Sequence, residues 1–268
     1  MIAIAHSLAI TLYLGAAALA AAPFARPLPA PVRSVTTVLG LGVVAHTAGL
    51  LAFVVTHGQA PVSGLGPALS LASLLVAVLL LAVELIARDV SLSLAAAPLA
   101  AALAVVANVA GLSPAGVADG AQGAWLAAHV ALSFLGIASF ATAAAAGVMY
   151  MVERRELKAR RFGAIFRFFP PLETLDRVNH LASLAGGIAL TLGVAIAIAY
   201  SVEFRTVNMP QILWGAVAWI ALSVIAIGRA LGGWQARRAA VVTSTSFAAV
   251  VLLYVALRVA GAADGGFL

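Results

Sequence analysis

Eight separate stretches of roughly 20 apolar residues, each long enough to cross the hydrocarbon of a bilayer, constrain this chain more than any other feature. They cover residues 2–22, 35–57, 68–87, 93–112, 124–151, 178–201, 211–230 and 240–261. A backbone in lipid must satisfy its own N–H and C=O groups, so stretches of this kind are expected to be helices. The expected fold is all-α: a polytopic membrane protein of about eight transmembrane helices, forming a single transmembrane domain over residues 1–268. Charged residues make up 9% of the chain, against about a quarter in a soluble domain, so a water-facing shell cannot be assembled. Prolines at 27, 29, 31, 61, 67, 114, 170, 171 and 210 fall between the stretches, where a helix should stop or start; Pro98 alone falls inside one.

Lys and Arg residues set the orientation, because cationic connections are retained in the cytoplasm. Arg26, Arg33, Arg88, Arg154, Arg155, Lys158, Arg160, Arg161, Arg167, Arg177, Arg229, Arg237 and Arg238 occupy connections one, three, five and seven. That is 13 of the 15 cations, with only Arg205 and Arg258 toward the other side. Both termini are therefore expected outside the cytoplasm, and the first segment is read as a retained helix rather than a cleaved signal, since its cations follow the apolar run. The net charge of +6 does not argue for nucleic acid, which needs cations gathered on one solvated face. The long connection 153–177 carries seven cations with Phe162, Ile165, Phe166, Phe168 and Phe169 interleaved. It reads as a cytoplasmic basic amphipathic loop lying on lipid headgroups, or as an orientation signal in an ordinary connection.

Chemistry must be sought among the few polar residues of the spans. The chain has no cysteine, which removes disulfides, thiolate metal sites and thiol redox chemistry. Glu84 lies four residues before Arg88, a helical spacing that suits a local ion pair. All five histidines, His6, His46, His57, His129 and His180, fall in or at the ends of apolar stretches. Helical rise places His6 and His57 near the outer surface, His180 near the inner one, and His46 and His129 at intermediate depths. Neutral imidazoles facing across a bundle can ligate heme iron, and Arg205 and Arg258 could reach its propionates. The plainer alternatives are hydrogen-bonded packing histidines and arginines anchored at the interface.

Four stretches in order carry a resemblance. They are His46 in the second helix, Gly123-Ala-Trp-Leu-Ala-Ala-His129-Val-Ala-Leu-Ser133, Pro170-Pro-Leu-Glu-Thr-Leu-Asp-Arg177 leading to His180, and Gly233-Trp-Gln-Ala-Arg-Arg238. In an eight-helix plan they resemble the bacterial cytochrome c assembly membrane proteins related to CcsA and CcmC, and most closely the short HemX-like branch. The resemblance implies a multi-pass protein of the bacterial cytoplasmic membrane that handles heme of the b type, held non-covalently. His129 matches the family's outer-side histidine, and His46 and His180 match histidines of the short branch. The implied axial pair is His129 with His46, with His180 as a substitute.

Two departures narrow the expectation. The Trp-rich segment of heme-presenting members is replaced by Val202-Glu-Phe-Arg-Thr-Val-Asn-Met-Pro210, and no second outer histidine occurs near the C-terminus. A non-enzymatic accessory protein is expected rather than a complete heme lyase. Its partners would be membrane lipids, heme and cytochrome c maturation components. Two other classes stand beside it: a transporter of heme or another amphipathic molecule, and a scaffold or regulator that docks a cytoplasmic partner through loop 153–177.

Overall fold

A computed structural model describes residues 1–25, 31–87, 89–114, 120–160, 169–204 and 209–263. Within them the chain forms eight helices: α1 (Ile2–Ala25), α2 (Val32–His57), α3 (Leu65–Ala87), α4 (Ser93–Ala110), α5 (Gly120–Lys158), α6 (Leu172–Phe204), α7 (Met209–Ala230) and α8 (Ala236–Ala263). Seven of them are long and apolar enough to cross a membrane, and α4 is a shorter apolar helix. At about 1.5 Å per residue the 18 residues of α4 still span about 27 Å, close to the hydrocarbon thickness. The protein is a multi-pass membrane protein.

Helix ends differ from the apolar stretches in one systematic way. α5 runs on to Lys158 and α6 begins at Leu172, so much of the expected loop 153–177 is a continuation of two helices beyond the apolar boundary. Hydropathy stops at the lipid edge, whereas a helix continues as long as its backbone bonds are made. The aromatic heart of that connection, Phe162 to Phe168, lies outside the described residues. Pro23 also falls inside α1 rather than beyond it.

The helices pack as two groups of four. α1 lies against α2 and α4, and α3 against α2 and α4; likewise α5 lies against α6 and α8, and α7 against α6 and α8. Contact between the groups runs chiefly through α3 and α5. A small apolar cleft opens along this seam, lined by Val76, Leu92, Ala96, Ala138, Thr142 and Ala145 among others. Small residues make the packing possible. A Cβ on Gly136 would stand 2.5 Å from Leu190 Cγ, and one on Gly186 would stand 2.8 Å from the ring of Phe140, so α5 and α6 touch nearly backbone to backbone.

Polar groups also join the helices. Ser73 Oγ donates to the Ala100 carbonyl at 2.7 Å, tying α3 to α4. Asn179 Nδ2 donates to the Ala143 carbonyl at 2.7 Å, tying α6 to α5. Arg229 of α7 reaches Asp176 of α6 at 2.8 Å and also donates to the Trp234 carbonyl. The Trp234 ring lies over Gly228, with Arg238 4.7 Å above its centroid. This lock closes the end of the second group at which α6 begins and α7 ends.

Candidate functional site

The most connected polar cluster in the described structure lies where α1, α2 and α3 meet. His6, Tyr13, His46 and Ser70 are all fully buried. His6 contacts the Ile2 carbonyl through Nδ1 at 3.0 Å and Ser70 Oγ through Nε2 at 2.6 Å. His46 contacts the same Ser70 Oγ through Nε2 at 2.9 Å and the Tyr13 hydroxyl through Nδ1 at 3.1 Å. Hydrogen-bond arithmetic then fixes the tautomers of the neutral rings. A carbonyl only accepts, so His6 Nδ1 carries the proton and its Nε2 accepts from the single Ser70 hydroxyl proton. His46 must therefore donate from Nε2 to Ser70 Oγ and accept at Nδ1 from Tyr13. Four bonds run in one direction, from Tyr13 to Ile2.

Two glycines of α2 make room for this cluster. A Cβ on Gly42 would come within 2.7 Å of the Tyr13 ring, and one on Gly49 within 2.9 Å of His6 Nδ1. His46 lies between them, so one stripe of α2 both receives the two α1 side chains and supplies the acceptor for the Tyr13 hydroxyl.

The expected heme residues are placed differently from one another. His46 has both nitrogens engaged and is sealed from solvent, and the histidine brought to it is His6, with ring centroids 4.8 Å apart at 71°. Two imidazoles trans across a heme iron would stand about 6 Å apart, about 3 Å from iron to each centroid. The His6–His46 pair therefore does not fit a porphyrin. His129, half-buried on α5, contacts the Gly193 carbonyl of α6 through Nδ1 at 2.9 Å. That bond fixes the proton on Nδ1 and leaves Nε2 as a lone pair without a hydrogen-bond partner among the described residues, the arrangement by which metal-ligating histidines are usually held. His180 is half-buried with its Nδ1 buried and without a hydrogen-bond partner. Gly193, the level of His129, is 13 residues farther along α6 than His180, so the two imidazoles are separated by about 20 Å of helix and cannot share one iron. Arg205 and the side chain of Arg258 lie outside the described residues.

Glu84 is fully buried near the C-terminal end of α3. Its carboxylate accepts from Thr36 of α2 at 3.1 Å and from Ser93 at the start of α4. It therefore ties three helices of the first group together, while Arg88, the partner its spacing suggested, lies outside the described residues. Among the described residues no group of three or more His, Cys, Asp or Glu side chains is gathered as a metal site.

Sequence reasoning missed His6 as a core residue, together with Tyr13 and Ser70. A signal was present, because His6 and Tyr13 are seven residues apart, two turns on one face of α1, and Gly42, His46 and Gly49 share a face of α2.

Comparison with known proteins bears on the chain as a whole. The family model described as "Cytochrome C assembly protein" matches residues 34–262. A protein of Azospirillum brasilense, described as "Uncharacterized 28.8 kDa protein in nifR3-like 5'region", is 24% identical over 143 residues. The match covers 52% of this chain and 52% of that protein, so the chain spans about half the length of the curated relative. No solved structure matches the chain.

Proposed function

Because the chain belongs to the cytochrome c assembly protein family, we propose that it is a heme-handling accessory protein of cytochrome c assembly in the bacterial cytoplasmic membrane, without lyase activity of its own. The observation that supports this reading is the setting of His129. Its Nδ1 is tied to the Gly193 carbonyl and its Nε2 lone pair has no hydrogen-bond partner among the described residues, near the end of α5 that the cation distribution assigns to the outer side. Heme bound there non-covalently would bring a planar iron site whose ligand chemistry depends on that lone pair. The chain's own contribution is to hold the imidazole in one tautomer and orientation, between α5 and α6, at the edge of an apolar bundle. His46 can join as a second ligand only if its bonds to Ser70 and Tyr13 are broken. Arg205 and Arg258 are assigned to the propionates in this reading, and the partners are heme, membrane lipids and maturation components.

The test is spectroscopic. Protein purified in mild detergent from heme-replete cells is expected to give a Soret band and a pyridine hemochrome signal. His129→Ala should lower its heme content about tenfold or more. Retention of full heme in His129→Ala removes that residue from the site, and heme-free wild type that also refuses added hemin overturns the reading.

A second reading, transport of heme or another amphipathic molecule, is favoured by the seam between the two helix groups, which meet chiefly through α3 and α5 beside an apolar cleft. Two bodies with a narrow joint suit a rocking motion. Movement of hemin across vesicles containing the purified protein decides it.

A further inference from the structure

Two polar bridges cross from α5 to α6 on one seam. His129 Nδ1 donates to the Gly193 carbonyl at 2.9 Å, and Gln122 Nε2 donates to the Tyr200 hydroxyl at 2.8 Å. The bridges are in register, because Gln122 precedes His129 by seven residues on α5 and Tyr200 follows Gly193 by seven on α6. Seven residues are two helical turns, so the two positions on each helix share a face and the bridges stand about 10 Å apart along it. Between them the seam is apolar, with Trp125 and Leu126 of α5 and Ala197 of α6 at the intervening turn.

The Gln122–Tyr200 bridge has capacity beyond its own contact. A glutamine amide has two N–H donors and a tyrosine phenol one O–H, and a single hydrogen serves the bond between them. Two donor hydrogens are left over by that bond, at a place where Gln122 is exposed and Tyr200 half-buried. The Tyr200 ring is braced by Phe204, with ring centroids 4.8 Å apart at 47°. Trp125, 38% exposed, stands one turn from each bridge.

The order along the seam is thus a pair of neutral donors, an apolar turn, and an imidazole with its lone pair on Nε2. A ligand that matches this order is amphipathic, with an acidic group at one end and a metal ion two turns away. An iron porphyrin with carboxylate side chains has that layout, and two turns of helix correspond to the reach from its iron to its carboxylates. Uncharged donors suffice for a carboxylate at the end of a bundle, because its other lone pairs keep their water. We propose that Gln122 and Tyr200 form a carboxylate-binding pair that takes a propionate of the heme whose iron His129 ligates. The assignment rests on the reading of His129 as a heme ligand and extends it to a second bridge between the same two helices.

The test titrates the full-length protein in detergent with hemin and with hemin dimethyl ester, whose carboxylates are blocked, and follows the Soret band. Wild type is expected to bind hemin about tenfold more tightly than the ester. Gln122→Leu/Tyr200→Phe should weaken hemin about tenfold and leave the ester unchanged, which abolishes the preference. Its Soret position should remain that of wild type, because His129 is intact. Tyr200→Phe alone keeps the ring against Phe204 and removes only the hydroxyl, so it should reduce the preference by about threefold and decides the matter if the double variant fails to fold. Equal affinity of wild type for the two compounds, or an undiminished preference in either folded variant, overturns the proposal and leaves His129 as a ligand. Wild type that binds neither compound, or hemin binding unchanged in His129→Ala, removes the heme reading and this pair with it.

Discussion

Ser70 carries more than its size suggests, because its one hydroxyl serves two histidines. A typical hydrogen bond between membrane helices contributes about 0.6 kcal/mol. Ser70→Ala leaves both His6 Nε2 and the His46 Nε2–H without a partner in a sealed interior, and stranded buried groups cost about 1–3 kcal/mol. The expected result is a loss of that size in detergent unfolding, larger than for Thr47→Ala, whose hydroxyl bonds only the Val43 carbonyl within its own helix. At this scale the sequence was partly legible. That the histidines occupy membrane helices followed from hydropathy alone. Their pairing did not, because which faces of α1, α2 and α3 meet depends on packing between segments that no local pattern encodes. His46 was expected opposite His129, and it stands against His6 because Gly42 and Gly49 let α1 approach that face of α2. Tyr13 drew no notice, as a tyrosine in a span has no distinctive signature until its hydroxyl finds a partner.

Among the helices, glycine positions separate into those that are contacts and those that are idle. Gly186 meets the Phe140 ring and the Gly136 carbonyl, whereas Gly40 and Gly215 have open space around the position of a Cβ. Gly186→Ala should therefore force α5 and α6 apart, with a destabilisation of about 1–3 kcal/mol. Gly40→Ala and Gly215→Ala should be neutral or stabilising by up to about 1 kcal/mol, since helix entropy then favours alanine. Comparison of melting temperatures checks the contrast. Element boundaries show why hydropathy located every helix and shortened several. It reports the lipid slab, so it closes α5 near residue 151 while the helix itself continues to Lys158.

The molecule as a whole is two four-helix rings joined by a seam, and its orientation rests on the distribution of 13 cations against two. The absence of cysteine makes that orientation easy to measure. Single cysteines introduced at Gly58 and Leu112 should react with an impermeant thiol reagent added to intact cells. Cysteines at Gln235 and Arg160 should react only after the membrane is opened. The reverse pattern would invert the whole chain. The division into two rings had no sequence signal. Small residues are spread through all eight stretches, and nothing in the hydropathy distinguishes a helix that neighbours α3 from one that neighbours α8.

The order in which the chain leaves the ribosome gives the His6–Ser70–His46 junction a temporal meaning. α1 is made before the two helices whose polar groups it covers, so the partner of His46 is already in place when α2 arrives, and the bridging hydroxyl follows with the next helix. His129 has the opposite history. Its carbonyl partner is on α6, which emerges only after the rest of α5 and the basic connection have been made, and during that interval the imidazole has no fixed orientation. The first ring can close as it is born, while the histidine assigned to heme in the proposed reading waits for its setting until the second ring is nearly complete.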